Sequence, residues 1–372
     1  MAPNNLLRGL HILMFRILRV RLLLGTVLVL ALFQVLSVLQ ALLTATAVVV
    51  VLVALRTALQ KMLAPRFSAV CQVRSGGRTL LAFAGSRRMI TIGDPATGDA
   101  VTTLAGHRGW VSALCEVEVG RRSLLASGGK DRTVRLWDPG TGEQVSVLTG
   151  ARATVSSVCQ VRVGGGALLA AGAEDGSLHL WEPGSGEQVR VLAPGAGEVL
   201  AVCAVRSEGR DLLASSHVDR SVRLWEPGTG EQIRELSGHE GWPTALCQME
   251  SADGTLLASA GTDETVRVWN PETGEQLHVM EDDFGWLHAL CQVEVGERKL
   301  LASGGDGPGV KLWDPATGER TGTVGGAPFL LGPYGCGWVR ALCQIQVDDE
   351  VRIATGGYDK RVETWRLTEQ SP

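Results

Sequence analysis

Three residues in this chain have the types and spacing of a nucleophilic site: His107, Ser127 and Asp131. An aspartate that orients a histidine, which in turn withdraws a serine proton, is the arrangement used in acyl transfer. The same types return in the same order as His239, Ser259 and Asp263. A catalytic set has no reason to appear twice in one chain, so the repetition points to a structural role. Elsewhere the set is partial: Ala151 and Gly195 stand where histidine is expected, Ala171 where serine is, and Gly307 where aspartate is. The eight cysteines raise the question of a metal or disulfides. Seven of them, Cys71, Cys115, Cys159, Cys203, Cys247, Cys291 and Cys343, occupy one equivalent position each. One to a repeat unit with no close pair among them, they do not have the clustered spacing of a tetrahedral ion site and are expected to be buried, small and reduced. Only Cys336 falls outside the pattern, and there is no C-x-x-C pair. No Walker loop, H-E-x-x-H or G-x-S-x-G is present, and the glycine-rich run Gly304 to Gly309 reads as a turn. No cofactor or metal is expected.

The elements that carry these residues repeat. Trp137, Trp181, Trp225, Trp269 and Trp313 are 44 residues apart, and Trp365 follows after 52, so the last unit holds eight additional residues. One period before Trp137 stands Gly93, in TIGDPATGD where later units read RLWDPGTGE, which makes seven units in all. Each unit contains an alternating run (WVSALCEVEV), an apolar run (SLLAS), a β-branched run ending in tryptophan (TVRLW) and a short closing run (QVSVL), with Gly, Pro and Asp turns between them. These are strand and turn signals, four strands to a unit.

The period, the GH pairs Gly106-His107 and Gly238-His239, and the WD pairs Trp137-Asp138 and Trp313-Asp314 resemble the WD-repeat family across about residues 65 to 368. The regular turns and the Gly, Ala and Arg usage are similar in style to bacterial members. The resemblance implies an all-β, seven-bladed propeller of four-stranded blades around a central channel. It also implies that His107, Ser127, Asp131 and Trp137, and likewise His239, Ser259, Asp263 and Trp269, form hydrogen-bonded tetrads that clamp adjacent turns. Partners of the family dock on the face carrying the loops before the first strand and between the second and third. Trp110, Trp242, Trp286 and Trp338 share one position on that face, together with His288, Arg340 and Tyr358; Phe329 and Tyr334 lie in the eight-residue insertion. A protein or peptide is the expected partner, and the chain is expected to be a non-catalytic scaffold. An enzymatic propeller is the other class, and it would need acids, bases or a metal meeting at the channel.

The N-terminal part has a different composition. Residues 1–21 are basic, and residues 22–55 carry no charged side chain, which suits a transmembrane helix or helical hairpin. A signal peptide cut near Ala45 and Ala47 is disfavoured because the apolar run continues beyond that point. Residues 1–64 hold six basic and no acidic residues, leaving 29 basic against 39 acidic in the rest. That acidic remainder lacks the footprint for neutralising phosphates, so nucleic acid is not an expected partner. The propeller, over residues 56–372, is expected to be membrane-anchored on the cytoplasmic side; the alternative is a soluble protein starting at Met62. Because only RLTEQSP follows Trp365, the last unit lacks a fourth strand, and RTALQKML at 56–63 is expected to supply it.

Overall fold

In the computed structural model the chain divides into two units, Met1–Leu63 and Ala64–Pro372. The structure describes residues 67–367 of the second unit, apart from 194, 196, 208, 252–253, 283–284, 308, 326–338, 349 and 358–361. The expected membrane helix at 22–55 and the expected closing strand at 56–63 therefore lie outside the described residues. Among the described residues every regular element is a strand, and no helix is long and apolar enough to cross a membrane.

Among the described residues seven antiparallel sheets follow one another along the chain, six of four strands and a last one of three. Blade 1 runs Phe67–Ser75, Arg78–Gly85, Met89–Gly93 and Ala100–Ala105, and each later blade repeats this pattern. The first strands (Phe67–Ser75, Val111–Val119, Val155–Val163, Val199–Ser207, Pro243–Ser251, Leu287–Val295 and Val339–Val347) pack each against the next, and the last against the first, closing the ring. The first strand is thus innermost and the fourth outermost.

The blade tryptophans lock neighbouring blades together. Trp137 packs among blade 1 residues such as Val73, Leu80 and Ile90, and Trp181 among blade 2 residues such as Val117, Leu124 and Val134. Blade 1 has Gly93 in place of tryptophan, and Phe83, from its second strand, takes up the role. Phe83 packs with Ile345, Val347 and Ala354 of blade 7 and meets Phe67 edge-on at 5.3 Å. A Cβ at position 93 would lie 3.6 Å from the Phe83 ring, so glycine and phenylalanine share the volume that other blades give to tryptophan.

Amide side chains add a second ring of joints. The Glu118 N–H donates to Gln160 Oε1 at 3.0 Å, Arg206 to Gln248 at 2.8 Å, Glu250 to Gln292 at 2.6 Å and Glu294 to Gln344 at 2.7 Å. Glu116 accepts in the same way from the Arg74 N–H at 2.8 Å. The Gln346 N–H donates to Gln72 Oε1 at 3.2 Å across 274 residues of sequence, which joins blade 7 to blade 1. Blade 4 has Ala204 at this position, and there Asp211 Oδ2 accepts the Arg162 N–H at 3.3 Å.

The seven aligned cysteines are free thiols, half-buried rather than fully buried as the sequence suggested. They sit on the innermost strands of the seven blades. Surrounding protein still pushes the Cys71 thiol up to about 12 and the Cys203 thiol up to about 11. Cys336 lies outside the described residues.

Candidate functional site

Two loops per blade form one end of the propeller, and in blades 2 to 6 they are tied to each other the same way. The backbone N–H of the second-to-third-strand turn donates to the carbonyl of the residue just before the first strand. The pairs are Lys130 to Trp110 (2.8 Å), Glu174 to Thr154 (2.9 Å), Val218 to Glu198 (3.1 Å), Thr262 to Trp242 (2.9 Å) and Asp306 to Trp286 (2.9 Å). The repeating latch places Trp110, Trp242 and Trp286 at equivalent points of this face.

The two complete tetrads lie beneath the latch. His107 Nδ1 is 2.9 Å from Asp131 Oδ2, its Nε2 is 2.7 Å from Ser127 Oγ, and Trp137 Nε1 donates to the same hydroxyl at 2.8 Å. In blade 5, His239 reaches Asp263 at 2.8 Å and Ser259 at 2.7 Å, and Trp269 donates to Ser259 at 2.8 Å. A neutral imidazole with its proton on Nδ1 satisfies every partner. Burial lowers the His107 pKa, outweighing Asp131, so the neutral form prevails near neutrality. Burial alone would raise Asp131, but the Arg108 N–H, His107 and Thr133 hold it below the usual carboxylate range. Ser127 and Ser259 have no exposed surface, and each hydroxyl is engaged on both sides, so the geometry of a nucleophilic triad occurs here without access for a substrate.

The incomplete tetrads are repaired from other positions. In blade 4, where Gly195 replaces histidine, His217 of the second strand donates or accepts at Ser215 Oγ (2.8 Å), and Trp225 Nε1 donates to the same atom at 2.7 Å. His217 stands at the position of Gly129, where an added Cβ would lie 3.2 Å from His107 Nδ1. A side chain on the strand and a histidine in the loop would thus compete for one space. In blade 3, without the serine, Trp181 donates to the Thr149 carbonyl at 3.1 Å, and His179 stacks on its ring at 5.5 Å. In blade 6, Gly307 removes the carboxylate that would face the third-strand cation, and Asp282 supplies one to Lys311 in a buried pair. Single-position reading missed His217, Asp282 and Lys311; a histidine appearing at a usually glycine position in a blade whose loop has lost histidine was the available signal.

Above the tetrads the face is open. Trp110 is 46% exposed, and Trp242 and Trp286 are each 51% exposed, whereas the blade tryptophans Trp137, Trp181, Trp225, Trp269 and Trp313 are buried. Lys130 Nζ sits 4.7 Å from the centre of the Trp110 ring, a cation–π contact within the chain. The channel rim below is made by bulges, for the register between first and second strands slips around one residue in each blade. These residues are Ser68, Ser112, Ser156, Leu200, Thr244, His288 and Arg340. Ser68, Ser112, Ser156 and Thr244 donate to a first-strand carbonyl of the next blade. His288 instead bonds Asp306 of its own blade at 2.9 Å, and Arg340 Nη1 approaches its other nitrogen at 3.3 Å. The His288 side chain is largely covered and turned into this cluster. Trp338, Tyr358, Phe329 and Tyr334 lie outside the described residues.

Residues 98–138, 142–182 and 230–270 match the family model described as WD domain, G-beta repeat. These three segments are WD repeats. The matched segments cover the two complete tetrads and one incomplete one; blades 4 and 6, outside the matches, share the strand order and the latch, and blade 1 shares the strand order. A search of curated proteins finds no match for the chain.

Proposed function

We propose that this WD-repeat propeller is a non-catalytic scaffold that binds a protein or peptide on the face bearing Trp110, Trp242 and Trp286. One observation carries the reading: tryptophans at one equivalent position stay about half exposed, 46% to 51%, on a molecule that buries its other described tryptophans deeply or in large part. Rigid aromatic side chains exposed in this way are the usual anchors of protein interfaces. Trp338 belongs to the same set by its place in the repeat. The long uncharged run at residues 22–55 supports a membrane tether for the scaffold.

The test is affinity capture with the tagged full-length chain, beside a variant in which Trp110, Trp242, Trp286 and Trp338 are all alanine. A specific partner is expected to be lost with the variant while the thermal midpoint stays nearly unchanged. A collapse of stability, or capture that survives the change, would overturn the reading. Deleting residues 1–55 is expected to move the protein from the membrane fraction to the soluble fraction; retention in the membrane would remove the tether.

A further inference from the structure

The tryptophan face is electrically divided. In blades 1 and 2 its loops carry Arg87, Arg88, Arg108, Lys130 and Arg132, all exposed. In blades 3 to 6 the corresponding loops carry Glu174, Glu198, Glu240, Glu264 and Asp306, against Arg152 and Arg220. Trp110 lies in the basic sector and is already covered by Lys130, whereas Trp242 and Trp286 lie in the acidic arc. At the place of Lys130 these two blades have Thr262 and Asp306. So the cation that blade 2 supplies to its own tryptophan is absent from that position in blades 5 and 6, and in blade 6 a carboxylate replaces it. Blade 4 adds some apolar surface beside Glu198, since its rim residue is Leu200 and its turn residue Val218, both half-buried.

Backbone geometry indicates that these charges are not demanded by the fold. Arg132, Arg220 and Glu264 hold equivalent turn positions at φ of 64°, 74° and 63°, and Gly176 makes the same turn in blade 3 at 84°. Glycine is the inexpensive residue there, so side chains are being kept at a conformational cost on the face that faces the partner. Burial, and next the nearby Glu174 carboxylate, raise the Glu198 pKa, which places two like charges within reach of each other.

We infer that the acidic arc with Trp242 and Trp286 receives a basic, apolar peptide segment, whose lysine or arginine side chains sit against these tryptophans as Lys130 sits against Trp110. The inference rests on the proposed binding face and specifies its partner. Charge complementarity sets the direction: a cation gains both the aromatic quadrupole and the field of the carboxylates, which outnumber Arg152 and Arg220 in the arc, whereas an acidic segment is disfavoured by the same excess.

Short fluorescent peptides of alternating lysine and leucine, glutamate and leucine, and serine and leucine provide the probes, with anisotropy and tryptophan emission of the full-length chain as readouts. The lysine peptide is expected to bind most tightly, to perturb tryptophan emission and to weaken as salt is raised. Glu240→Gln combined with Glu264→Gln should weaken it about fivefold, the scale of two exposed charge contacts. Glu187→Gln with Glu231→Gln, on the opposite face, should change nothing. Preference for the glutamate or serine peptide, or equal weakening by both glutamate pairs, overturns the charge assignment, and the binding face still stands if Trp242→Ala with Trp286→Ala abolishes binding. Lysine-peptide binding untouched by the tryptophan changes overturns the inference and counts against the face itself.

Discussion

His217 occupies the tetrad position that Gly195 leaves empty, and it does so without an aspartate at its second nitrogen, which is buried and makes no well-formed hydrogen bond among the described residues. Burial, then the Arg223 charge, lower its pKa from the ordinary imidazole value of about 6.5 to about 4. The unfolded chain therefore binds a proton that the folded one refuses between these values, so stability falls as pH drops through that window and is level above it. Relative to His217→Gln, the native chain is expected to lose on the order of 3 kcal/mol more between pH 7 and pH 4, measured by denaturant midpoints; parallel curves would remove His217 from the account. The tetrads of blades 2 and 5 were legible in the sequence because all their members stand at fixed offsets, His107 and His239 among them. His217 was not, because the repair links two positions whose coupling appears only when Gly129 is seen against the His107 ring.

At the scale of the element, the strands and turns were read with little error because a 44-residue period repeats every alternation and every turn. Fourth strands follow this rule in six blades, and the seventh blade has three among the described residues. The bulges that aim Ser112 or His288 at the channel rim were not legible, since a bulge leaves no mark in an alternating run. The turn that presents Glu264 shows a conformational cost that can be measured. Glu264→Gly is expected to leave stability unchanged or raise it by at most about 1 kcal/mol, in contrast to Gly128→Ala. There an added methyl would overlap Val155 of the next blade, and a loss of about 1 to 3 kcal/mol follows. Thermal or denaturant unfolding of the two variants decides both; a clear loss with Glu264→Gly would mean that its side chain holds the turn.

The whole molecule is held by joints of one design repeated around the ring, and the seventh joint, between blades 7 and 1, uses its own materials. Phe83 stands in for tryptophan there, and Gln72 accepts the Gln346 N–H at 3.2 Å. Gln72→Ala should cost about 1 kcal/mol and speed hydrogen exchange at Gln346 more than at Glu250; equal exchange at the two amides would show that side-chain packing alone closes the ring. The number of units and the absence of tryptophan from the first were apparent from spacing, but not that Phe83 would fill its place, because it arrives from a different strand. Separation along the chain also distinguishes this joint: the other amide joints span 42 to 50 residues, whereas this one spans 274. Loop-closure entropy rises with that span, and contacts distant in sequence form late. Six joints can assemble one after another as the chain is synthesised, while the seventh waits until the last blade has emerged. A growing chain would therefore hold an open arc of blades, with the blade 1 edge unpaired against blade 7, and it would become a closed ring only after the last blade has emerged.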